Sequence, residues 1–160
     1  FARMQGREME FNIPPSPLAR LIVILADDAQ IVDRVAMRLK LSNRMRTDLA
    51  ARIGNRHPTA QNIRAIAYHN DVESARDCAL LYAADGDLPT CLGELENWLP
   101  PEFPVKGRDI IARGIMAGPL VAKTLKSLEN AWIFAGFPSG PEFDKLLDQA
   151  LVEAKLSSKN

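Results

Sequence analysis

Residues 101–125 read PEFPVKGRDIIARGIMAGPLVAKTL, and the punctuation of this stretch decides the fold class. Pro101 and Pro104 impose an extended entry, because proline fixes its own φ and pushes the preceding residue out of the helical region. A short helix follows, then a Gly118-Pro119 corner, then a second helix. Pro119 pre-sets the first helical turn, and Gly118 permits a close approach to the main chain. Beyond the corner Val121, Leu125, Leu128 and Trp132 recur at helical spacing and form one apolar stripe. Lys123 and Lys126 fall off that stripe, so both are expected to point away from the core.

The same grammar runs through the rest of the chain, and no stretch alternates polar and apolar long enough for a strand, so the class is all-α. We expect an array of about eight or nine short helices. Ser16-Pro17 opens one as N-cap and first helical residue, and Asp28 and Ser42 cap the next two. Gly54 stands where a helix end favours a left-handed residue. A fourth helix is expected from Thr59 to about His69. Asn70-Asp71-Val72-Glu73 carries a capping-box spacing before a helix that stops near Gly86, and Pro89 starts another that ends at Trp98-Leu99.

Pro100, Pro101 and Pro104 mark the clearest internal boundary, dividing a body-like lobe (1–99) from a tail-like lobe (100–160), unless the two form one continuous domain. Residues 137–141, with Pro138, Gly140 and Pro141, link to a final amphipathic helix. Its end, 157–160, is expected to fray.

At 160 residues and 47% hydrophobic content the chain can bury a real core. No apolar run approaches the roughly 18 residues of a membrane span, and the first residues lack the apolar stretch of a signal peptide, so a cytoplasmic compartment is expected. The chain opens on Phe1 rather than methionine, from which further sequence upstream is expected. Cys78, Cys91, His57 and His69 show no metal-ligand spacing, so no metal site is expected. The histidines read as surface or cap residues, and Cys78 as a small buried hydrophobe.

Formal charge is zero, yet the charges are segregated along the chain. Between Arg34 and Arg64 stand Arg34, Arg38, Lys40, Arg44, Arg46, Arg52, Arg56 and Arg64 against Asp48 alone. From Asp71 to Glu102 eight acids face Arg76 alone. From Val105 to Leu128 the sign returns to positive through Lys106, Arg108, Arg113, Lys123 and Lys126. Two readings stay open: basic faces gathered for a polyanion, or blocks whose signs pair within the fold.

The corner sharpens the first reading. A helix N-terminus combines free amides with the positive end of the macrodipole, so the N–H groups of Leu120 and Val121 are expected to face a phosphate. Lys106, Arg108, Arg113, Lys123 and Lys126 would surround it with charge that holds backbone without reading bases. The plainer alternative is a helical hairpin with solvated lysines.

A resemblance weighs on this choice. Phe103-Pro104-Val105-Lys106-Gly107-Arg108-Asp109-Ile110, then Gly114-Ile115, Gly118-Pro119-Leu120-Val121 and Leu125 through Trp132 together resemble the C-terminal region of bacterial tRNA nucleotidyltransferases (CCA-adding enzymes) and poly(A) polymerases. Arg38-Leu39-Lys40-Leu41-Ser42-Asn43-Arg44-Met45-Arg46 is similar, more weakly, to a "RLRLSN" helix junction in the middle of that family. The resemblance implies that the chain is the body and tail of such an enzyme, gripping the acceptor and TΨC arms of tRNA. Its implied backbone-binding residues are Lys106, Arg108, Arg113, Gly118, Lys123 and Lys126, with Arg38, Lys40, Arg44 and Arg46.

The family's catalytic head, with its Gly-Ser loop, paired aspartates, Mg2+ and CTP or ATP, has no counterpart here. Asp85-Gly86-Asp87 reads as a turn, so no catalytic residue and no cofactor is expected in this chain. Recognition of structured RNA through phosphates and 2′-hydroxyls suits such a surface. With aromatics at 6%, a single-strand stacking platform does not. Trp98 and Trp132 read as core.

The competing classes are a poly(A) polymerase tail, a freestanding interaction or dimerisation module using the acidic block, and a helix-turn-helix DNA binder around Arg52 to Arg64, whose would-be turn Pro58 interrupts. A phosphohydrolase of the His-Asp type is excluded, since no His-Asp pair occurs.

Overall fold

Short side chains that accept from backbone amides start four of the helices. In a computed structural model, which describes residues 1–25 and 28–157, ten α-helices and no strand form among the described residues. The first, α1 (Ala2–Glu10), precedes the expected ones. The Ser16 hydroxyl then accepts from the Ala19 amide at 3.3 Å to open α2 (Pro17–Ile24). Asp28 accepts from Gln30 and Ile31 at 2.8 and 3.0 Å to open α3 (Ala29–Arg38). Ser42 caps α4 (Asn43–Gly54) through the Met45 amide, and α5 (Ile63–His69) follows. Asp71 caps α6 (Val72–Tyr82) through the Ser74 amide at 2.6 Å, and α7 (Leu88–Leu95) completes this part.

The chain divides into two compact units, Phe1–Pro100 and Pro101–Asn160. In the first, Ile22, Val32, Ala36, Leu49 and Ile53 form one apolar cluster. A second joins α5, α6 and α7 through residues such as Ile63, Cys78, Leu80, Leu88 and Cys91. Asp77, itself buried, is held by the Ser16 hydroxyl at 2.6 Å and by Arg52 Nε at 2.7 Å, so one carboxylate ties α2, α4 and α6 together. Arg7 of α1 reaches the end of α6, donating to the carbonyls of Leu80 at 2.7 Å and Ala83 at 2.6 Å and to the Asp85 carboxylate.

The second unit holds α8 (Gly107–Ala112), α9 (Pro119–Phe134) and α10 (Pro141–Ser157). Ile110, Leu128, Trp132, Phe143 and Leu147 are buried in it. Phe103 packs on Trp132 and Phe143 at centroid distances of 5.3 and 6.3 Å, and Trp132 Nε1 donates to the Pro138 carbonyl at 2.9 Å. The proline-rich entry and the 137–141 link thus close over the indole, satisfying its polar edge.

Several sequence expectations are corrected. Helix α1 lies outside the expected set, since Met4 is its single buried apolar residue and buried Arg7 and Glu8 hold it instead. Gly54 lies inside α4 and takes no left-handed angle; Asn55 follows it at φ −108°. The cap before α6 is the Asp71 carboxylate, which accepts from both the amide and the hydroxyl of Ser74, rather than a capping box of Asn70 with Glu73. Helix α5 starts at Ile63, not Thr59, because Asn62 folds the preceding turn by accepting from the Thr59 amide. Helix α6 ends at Tyr82, before Gly86, and α7 ends at Leu95, before Trp98. At the chain end Ser157 is still helical, and the expectation of fraying for 158–160 falls outside the described residues.

Candidate nucleic-acid interface

Helix α8 is fixed by a reciprocal start. The Lys106 amide donates to the Asp109 carboxylate at 2.8 Å, and the Asp109 amide returns a bond to the Lys106 carbonyl at 2.9 Å. With its backbone so engaged, the Lys106 side chain stands exposed. Arg108 is exposed as well, its Nε 3.7 Å from Asp109 Oδ1, a weak contact. Arg113 ends α8 in solvent. Arg108 and Arg113 line an open groove of 640 Å³ together with Asp109, Asp144, Phe143 and Leu147.

The corner between α8 and α9 is a glycine position by geometry. Gly118 adopts φ +147°, a region that side chains disfavour, and the space beside it is open. The expectation that it presents two free amides is corrected, because Val121 N–H donates to the Gly118 carbonyl at 3.1 Å. On α9 the apolar stripe is buried at Val121, Leu128 and Trp132 and half-buried at Leu125. Lys123 and Lys126 are both exposed, and Lys126 meets Glu129 at 3.4 Å. Lys106, Arg113 and Lys123 have no carboxylate within ion-pair distance among the described residues.

In the first unit Arg38 ends α3, Lys40 follows at φ +52°, and Arg44 lies in the first turn of α4, all three exposed. Arg46 is only half exposed and is committed to Asp33 at 2.9 Å. The ten site residues therefore fall into two sets, one in each unit.

Part of the segregated charge pairs within the first unit. Arg52 of the basic block meets Asp77 of the acidic block, and Arg64 meets Glu94 at 3.0 Å. Asp85 takes Arg3 and Arg7, and the Arg7 and Arg3 guanidiniums hold its carboxyl below the ordinary 3.8. Asp85-Gly86-Asp87 forms a turn, and an aspartate engaged by two arginines does not fit a magnesium–nucleotide site. Among the described residues no cluster of three or more His, Cys, Asp or Glu could hold a metal ion. No helix there is long and apolar enough to cross a membrane.

Cys78 is fully buried, its thiol pushed up to about 12 by that burial, and burial raises Cys91 as well. Trp132 is buried and Trp98 half-buried against the α5–α7 cluster. His57 and His69 are exposed, yet they line one groove, a convergence that one-dimensional reading missed. The available signal is that His57 follows the end of α4 and His69 stands at the end of α5. No family model matches the chain, and neither a curated protein nor a solved structure matches it.

Proposed function

We propose that this chain holds the sugar-phosphate backbone of a structured RNA, as the body and tail of a tRNA nucleotidyltransferase whose CCA-adding chemistry, with its Mg2+ and CTP or ATP, belongs to another part of that enzyme. The observation that carries this reading is the set of exposed cations on α8 and α9: Lys106, Arg113 and Lys123 without carboxylate partners among the described residues, and Arg108 and Lys126 in weak ones. Exposed ion pairs of that kind contribute little, so a phosphate displaces the carboxylate at small cost. The corner adds the Leu120 amide at the start of a sixteen-residue helix. Arg38, Lys40 and Arg44 extend the same chemistry on the first unit. The acceptor and TΨC arms of tRNA, an A-form stack presented by its backbone, are the ligand that such exposed charge suits.

The test is tRNA affinity. Lys123→Glu with Lys126→Glu should weaken binding about tenfold or more near 0.1 M salt while leaving the circular dichroism melt unchanged. The slope of log affinity against log salt should flatten by roughly 0.7 to 0.9 for each phosphate that the variant no longer neutralises. Parental affinity and slope in the double variant would rule this surface out.

A module that docks a basic partner through its acidic block is the weaker reading, since Asp77, Asp85 and Glu94 of that block are already paired inside the first unit. The poly(A) polymerase tail differs from the leading reading only in the product of the parent enzyme.

A further inference from the structure

The chain has two histidines, and both line a single groove of 320 Å³ at the C-terminal ends of α4 and α5. Asn55, Arg56, Asn62 and Asn70 complete its polar lining, which contains no carboxylate. Helix C-termini ordinarily repel anions through their free carbonyls. Here some of the carbonyls around the groove are covered by side chains. Asn55 Nδ2 donates to the Ala51 carbonyl at 2.7 Å, Arg56 Nε to Ile53 at 3.1 Å, and Asn70 Nδ2 to Ile66 at 2.9 Å. Asn62 Nδ2 covers the His57 carbonyl at 2.9 Å. Among the described residues neither exposed imidazole takes part in a hydrogen bond or ion pair, and His69 meets the edge of the Tyr68 ring at a centroid distance of 5.7 Å.

We propose that this groove is a second phosphodiester site, in which His57 and His69 hold a backbone phosphate of the bound RNA and make its affinity depend on pH. The inference rests on the RNA-holding reading and adds to it a site outside the cationic surfaces already described. Imidazole gains charge between about pH 8 and pH 5, and as imidazolium it donates a charge-assisted hydrogen bond to phosphate. Arg56 is the other ionisable side chain lining the groove, and Tyr68 meets His69 from beside it.

Affinity for tRNA measured by fluorescence anisotropy at pH 5.5 and 7.5, at fixed ionic strength, tests this. The parent chain should bind roughly threefold to tenfold tighter at pH 5.5, the scale of two exposed charge contacts. His57→Gln with His69→Gln should lose that gain. His57→Lys with His69→Lys should bind at pH 7.5 as the parent does at pH 5.5, with no pH dependence, and thermal melts check that both variants fold. If the glutamine variant keeps the parental pH dependence, the groove is not a phosphate site, and the cationic surface stands unaffected. If the parent binds no tRNA at either pH, the RNA-holding reading fails first.

Discussion

Asp85 is 82% exposed, yet two guanidiniums converge on it, one of them the buried Arg7. The Arg7 hydrogen bond, then that of Arg3, lowers its carboxyl pKa in the folded chain. A group with a lowered folded pKa contributes stability above its unfolded value and loses it as pH falls through the folded one, because the unfolded chain then binds more protons. Asp85→Asn should therefore be less stable than the parent at pH 7, and the difference should narrow below about pH 4 in thermal melts. Parallel acid profiles for the two proteins would mean that the pair adds nothing to folding. The turn at Asp85-Gly86 is readable from its residues alone. Its partner is not: Arg7 lies 78 residues away, and local pattern carries no signal for a contact at that separation.

At the scale of elements, the legible features are those decided within one helical turn. Ser16, Asp28, Ser42 and Asp71 each accept from an amide two or three residues ahead, so residue type and spacing place α2, α3 and α4 by their caps and the start of α6 to within a residue. Helix α1 lacks an apolar stripe and depends on tertiary contacts from Arg7 and Glu8, which is why periodicity passes over it. The same limit hides the joint made by Asp77, which gathers Ser16 and Arg52 from two other helices. Removing one partner of such a buried pair leaves an uncompensated charge. Asp77→Ala should lower stability by about 3 to 5 kcal/mol, read as a fall in the urea midpoint with an unchanged slope. A loss under about 1 kcal/mol would mean that Arg52 finds water or another acceptor.

Over the whole molecule, the all-α class follows from punctuation, and the outward lysines of α9 follow from the four-three-four stripe. Surface convergence does not follow, since His57 and His69 come to line one groove only once the turn that Asn62 closes has formed between α4 and α5. Nor do charge blocks reveal which members are spent internally, as Arg52 and Arg64 are. The distribution of sulfur has a practical corollary. Both thiols sit before Pro100, fully enclosed and, in Cys78, far from ionised at neutral pH, whereas the second unit carries none. Alkylation by iodoacetamide should thus act as a clock for the opening of the first unit alone, near zero in buffer and rising with urea as Cys78 and Cys91 are released. Fast labelling of native protein would refute that enclosure, and in a Trp98→Phe background Trp132 emission offers a second dial for the other unit.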